Sequence, residues 1–160
     1  MFNKILSFIV NDENKILLLH NNPVDPVHGG DFWYTVTGGV EDYDKDYGEA
    51  VIREVKEETN LDVKKILYLN WIFKYTDKNL KCIEYAYISF VNSNEVTLDE
   101  SENIEYEWCD LDKFVSKIRW LSDIDTLKIV LSFGMERKVF FNTEQTEDYD
   151  YNFENINENN

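Results

Sequence analysis

Between Thr37 and Leu61 the chain carries two signals that dictate a local fold: the pair Gly38-Gly39 and, after a short loop, the run Arg53-Glu54-Val55-Lys56-Glu57-Glu58. The spacing predicts a glycine turn, a loop, and a helix from about Asp46 to Thr59. Ile52, Val55 and Thr59 form its apolar side, suited to packing on a sheet. At about 3.6 residues per turn, Glu54, Glu57 and Glu58 stand at i, i+3 and i+4, so three carboxylates share one face. Like charges at that spacing disfavour a bare helix by roughly 1 kcal/mol. Acidic helix faces are common solvated surface, and this chain has 32 acidic residues against 16 basic ones. Arginine, however, occurs only at 53, 119 and 137. Composition therefore does not account for its place at the head of Arg-Glu-x-x-Glu-Glu below a glycine pair. A face that concentrates negative charge suits a divalent cation, since hard cations prefer carboxylate oxygen.

The segment WYTVTGGVEDYDKDYGEAVIREVKEETNL, Trp33 to Leu61, resembles the signature box of the Nudix hydrolases. The family pattern runs from Gly through an upstream Glu to Arg-Glu, an aliphatic residue, any residue, Glu-Glu, any residue, Gly and an aliphatic residue. The match holds at the glycine pair and at Arg53, Glu54, Val55, Glu57, Glu58 and Leu61. Two places depart from it. Aligned on Trp33 to Glu41, Gly38 is the box glycine, Asp44 stands for the upstream Glu, and the loop is one residue longer; counted without a gap from Gly39, Lys45 falls there. Asn60 replaces the closing Gly, an exchange that a left-handed helix end tolerates.

The resemblance implies an α/β fold, a Nudix-type α/β/α sandwich with a mixed sheet. It implies hydrolysis of a pyrophosphate bond in a nucleoside triphosphate or another nucleoside-diphosphate-linked small molecule, by water attack on phosphorus with Mg2+ or Mn2+. Glu54 and Glu58 would be direct metal ligands, with Glu57 close by or sharing a second metal and the backbone carbonyl of Gly38 brought near. Arg53 would brace a box glutamate. The base would be a box glutamate or a later carboxylate. For the latter the candidate is Glu102, in a stretch, Glu102 to Trp108, that resembles a Glu-His-x-x-x-x-Trp region of the family, with Asn103 in place of His. The wording Trp33 to Glu41, and Ile118-Arg119-Trp120-Leu121-Ser122 later, look like the branch acting on dihydroneopterin triphosphate and deoxynucleoside triphosphates. A Nudix-fold binding or sensor module without catalysis is the alternative reading.

The rest of the chain frames these residues. A formal net charge of −16 provides no basic stripe for a nucleic-acid polymer. It favours a small phosphate-bearing partner held through cations. No apolar stretch reaches the length of about 18 residues that spans a membrane. The N-terminus lacks a secretory pattern, and Cys82 and Cys109 read as buried free thiols, so a cytoplasmic protein is expected. Strands are expected over Phe2 to Val10, Lys15 to His20, Trp33 to Val36, Lys64 to Tyr75, Lys81 to Asn92 and Glu105 to Cys109. Helices are expected from Asp110 and over Asp123 to Phe133. Residues 1–142 form the domain, and 143–160, without Lys or Arg, read as a flexible acidic tail. His28, Trp33 and Lys74 are candidate substrate contacts. Trp71, Phe73 and Tyr75 read as one aromatic strand face, more core than base platform. The aromatic content is compatible with a homodimer.

Overall fold

The computed structural model describes residues 1–25 and 30–150; His28 and residues 151–160, and what the sequence suggested for them, lie outside the described residues. In chain order the elements are β1 (Phe2–Val10), β2 (Ile16–Asn21), β3 (Trp33–Tyr34), β4 (Val36–Gly39), α1 (Tyr47–Thr59), β5 (Lys65–Asp77), β6 (Leu80–Phe90), β7 (Asn103–Cys109), α2 (Leu111–Lys117), α3 (Ile124–Met135) and β8 (Gln145–Asp150).

Strand β1 is buried on both faces, which is why it reads as a continuous apolar run. Successive side chains of a strand point to opposite faces. Leu6, Phe8 and Val10 accordingly enter one core, with Trp71, Phe73, Phe114, Leu127 and Val130. Ile5 and Ile9 enter the other, with Leu17, Val36, Ala50, Val51 and Val55. Helix α1 thus covers one face of the sheet, α2 and α3 the other, and the architecture is an α/β/α sandwich. The sheet is mixed: β6 runs parallel to β1, β4 antiparallel to it, and β5 antiparallel to β6 through a hairpin with Lys78 and Asn79 at positive φ. Strand β2 pairs with β1 at Val10 and Ile16 and then follows β7 and β3, so the expected first hairpin splays open. Among the described residues no helix is long and apolar enough to cross a membrane. Cys82 and Cys109 are free and buried.

Four expectations change. Gly38 and Gly39 lie within β4, opposite Ile5 and Lys4, rather than in a turn. What this position needs from glycine is the missing side chain, not a special φ. Ile52 is 46% exposed, and the buried stripe of α1 is Ala50, Val51, Val55, Glu58 and Thr59. The helix is therefore rotated so that one glutamate of the acidic face turns inward. The expected strand at Trp33 breaks after Tyr34, and β4 then pairs with β1 instead of β2. Finally, part of the segment read as a loose tail is β8, which adds parallel to β5 from Trp71–Gln145 to Thr76–Asp150. An acidic composition argues against a core of its own, but not against completing the open hydrogen-bond edge of an existing sheet.

The ends of α1 lie where the spacing predicts. Asp46 caps the start by accepting the Glu49 N–H at 2.8 Å. Asn60 closes it at φ 62°, its N–H reaching the Lys56 carbonyl at 2.9 Å.

Candidate active site

Arg53 organises the acidic helix. Its Nε and Nη2 donate to the two oxygens of Asp44 at 3.0 and 2.8 Å, a bidentate pair. Nη2 also donates to the Gly39 carbonyl at 3.0 Å, and Nη1 to Glu54 at 2.9 Å and Glu57 at 3.4 Å. One guanidinium therefore ties the loop, the glycine strand and two glutamates into a single unit. Asp44 also accepts the Glu41 N–H at 2.8 Å, and the Arg53 guanidinium holds its carboxyl below the usual range. This pairing shows why the loop accommodates an extra residue: the carboxylate still meets Arg53, whereas Lys45 would repel it.

Gly38 lets β4 pass directly against the helix. A Cβ there would overlap the carboxyl group of Glu54. Glu54 is largely buried beside it, and burial raises its carboxyl pKa against the opposing pull of Arg53. Glu58 goes deeper, at 5% exposure. Burial, then the negative charges of Glu102 and Glu54, push its carboxyl well above the ordinary value. Its Oε2 is buried and accepts no hydrogen bond from any described residue. Leaving such an oxygen unpaired is costly, and most buried polar atoms avoid it. Among the described residues no group of three or more His, Cys, Asp or Glu side chains is arranged to hold a metal ion. Even so, a deep orphan carboxylate oxygen ringed by like charges fits a hard cation.

Glu58 and Glu102 line one cavity of about 330 Å3. Glu102 sits just before β7, its carbonyl holding the Asn22 N–H at 2.8 Å. The structure therefore brings Gly38, Arg53, Glu54, Glu57, Glu58 and Glu102 into one neighbourhood. Two further candidates fall elsewhere for one reason, the alternation of strand side chains. Trp33 stacks on His20 at 4.5 Å with Lys117 over its ring, while its neighbours Phe32 and Tyr34 line the cavity. Lys74 borders a separate groove with Met1 and Lys81, while Tyr75 reaches the cavity.

Sequence reasoning missed Lys4, Glu84 and Arg119 in the cavity wall. Arg119 is 4% exposed, with its guanidinium 3.7 Å from the centre of the Phe32 ring. Glu84 left a signal in the sequence: it is in phase with Cys82, Ala86 and Ile88, all in the core. A carboxylate in step with core residues of a strand is a reason to look for a site.

Comparison with known proteins agrees with this geometry. The NUDIX domain family matches residues 3–128. The NAD-capped RNA hydrolase NudC of Actinobacillus succinogenes is 31% identical over 101 residues, which is 60% of this chain; the match spans only 36% of that relative's length. Among solved structures, the MutT protein of Methanosarcina mazei Go1 superposes with a TM-score of 0.64 at 23% identity, over 85% of this chain and 93% of that one. The NUDIX domain of Shewanella oneidensis NrtR, solved with ADP ribose, gives 0.61 at 16% identity, over 84% and 86%. These two likenesses concern the fold; the family match, which covers most of the chain and contains the Gly38 to Glu58 unit, shows that the chain belongs to the NUDIX domain family.

Proposed function

We propose that this protein is a metal-dependent pyrophosphohydrolase acting on a nucleoside triphosphate or another nucleoside-diphosphate-linked small molecule. The observation that carries the reading is Glu58, a buried carboxylate with an unpaired oxygen among Glu54, Glu57 and Glu102. A module that binds its ligand without a cation has no use for so much uncompensated negative charge. A cleavage site for polyphosphate does, because its cations are shared between protein and substrate.

In this reading Glu54 and Glu58 hold Mg2+ or Mn2+, with Glu57 and the Gly38 carbonyl close to the same site. When bound, the metal would neutralise phosphate charge and lower the pKa of a water. The chain's own residues do the positioning. Arg53 keeps Glu54 against β4 and holds the loop through Asp44. Glu102 faces the same cavity and is the candidate to accept the proton of the attacking water. The net charge of −16 supports a small substrate rather than a nucleic-acid polymer. The wording of Trp33 to Glu41 favours a nucleoside or pterin triphosphate within this class.

The test is a panel of nucleotides with Mg2+ and with Mn2+, read separately for phosphate and pyrophosphate. Turnover that depends on metal, and that falls by about two to four orders of magnitude in Glu58→Gln, is expected. Absence of turnover with either metal across the panel would refute the assignment.

A further inference from the structure

The cavity that reaches Glu58 continues past the carboxylates of α1 to a second, unrelated group: Lys4, Thr37, Tyr75 and Glu84. Glu84 is 4% exposed and sits opposite Lys4 across the β1–β6 ladder. Its Oε2 is engaged from three sides. The Thr37 hydroxyl donates to it at 2.9 Å, the Tyr75 hydroxyl at 3.2 Å, and the Lys4 ammonium stands 3.7 Å away. Its Oε1 takes no hydrogen bond from any described residue. A buried carboxylate held through one oxygen, with the other left open, is a rigid and pre-oriented acceptor. Phe32, Tyr34 and Tyr75 add aromatic surface to the same cavity, against which a planar ring can lie.

We propose that Glu84 reads the donor edge of the substrate's nitrogen heterocycle and selects rings that carry an exocyclic amine beside a ring N–H, as guanine does. The inference rests on the hydrolase reading above and adds the substrate's ring to it. The two lone pairs of the open Oε1 can accept from both donors of such an edge. The same oxygen meets a lone pair on the ring nitrogen next to the amine in adenine or cytosine, and carbonyl oxygens flanking the N–H in uracil. A site built around a buried acceptor discriminates strongly against a ligand that lacks the matching donor, because the acceptor is then left unpaired.

Guanosine and inosine triphosphates differ only in the exocyclic amine and are the natural probes. Their kcat/KM values are compared with Mg2+, and binding of their non-hydrolysable methylene analogues is measured by calorimetry. Guanosine is expected to be favoured by about tenfold or more in both measurements, the usual weight of a hydrogen bond to a charged group. In Glu84→Gln, the ratio is expected to fall below about threefold. A wild-type ratio under about twofold, or a ratio unchanged in the variant, overturns the role of Glu84, while turnover itself leaves the hydrolase reading standing. Preferential binding of guanosine without turnover of any nucleotide supports Glu84 and overturns the hydrolase reading. Binding of neither analogue overturns the role of Glu84, and the hydrolase reading is then decided by turnover across the nucleotide panel. The wild-type ratio decides the matter even if circular dichroism shows that Glu84→Gln does not fold.

Discussion

Gly38→Ala separates positioning from stability more cleanly than any other single change. The added methyl group would overlap the Glu54 carboxyl carbon, well inside normal carbon–carbon contact. To restore a separation of about 3.5 Å the carboxylate must withdraw by roughly 1 Å or more. Glu54 is the far end of a flexible side chain, so the fold can yield there; the loss of stability should be about 1 kcal/mol, at the low end for overpacking. The same displacement stretches the 2.9 Å bond from Arg53 and moves a proposed metal ligand. A misplacement of about 1 Å at a reacting centre costs on the order of a hundredfold. The assay is metal-dependent nucleotide hydrolysis beside a urea titration of the same preparations. A large fall in kcat with a nearly unchanged urea midpoint is expected. Activity within about threefold of wild type would show that the Glu54 position seen against β4 does not matter for turnover.

Arg53→Lys should lower kcat by roughly a hundredfold, since one ammonium cannot reproduce five hydrogen bonds fanned toward Asp44, Gly39, Glu54 and Glu57. Steady-state kinetics with saturating Mg2+ checks it. The raised carboxyl of Glu58 sets a pH dependence of known sign: the folded state keeps this proton above the ordinary value of 4.5, so the stability this group contributes is fully present below that pH and is lost as pH rises through the folded pKa. Without metal, Glu58→Gln should therefore melt higher than wild type, with the gap widening as pH rises from 4.5 toward neutrality in calorimetric scans, and added Mg2+ should close it. At the helix end, Asn60 holds φ 62°. Asn60→Gly should change stability by only a few tenths of a kcal/mol in its favour, while Asn60→Val should lose about 1–2 kcal/mol, both read from denaturant midpoints.

The sequence by itself determined the layered fold and the acidic wall of the site. Both rest on short-range patterns, the apolar run of β1 and the helical spacing at Glu54, Glu57 and Glu58, and these survive folding because they are properties of the local chain. The left-handed helix end at Asn60 was legible for the same reason. Tertiary structure alone decided which carboxylate is buried, because that depends on how α1 is rotated on the sheet: Ile52 and Glu58 lie about 120° apart around the helix, and the rotation decides which of them enters. It also decided that Asp44 meets Arg53 across an irregular loop, and that Gly38 serves close packing rather than a turn. Trp33 and Lys74 fell on the wrong side of their strands, where a shift of one residue reverses the face. Glu84, Lys4 and Arg119 come together from β6, β1 and the segment after α2, a convergence that no local pattern encodes. The acidic strand β8 was hidden for a related reason: its partner is the open edge of β5, and a sequence cannot show an edge that exists only once the sheet has formed.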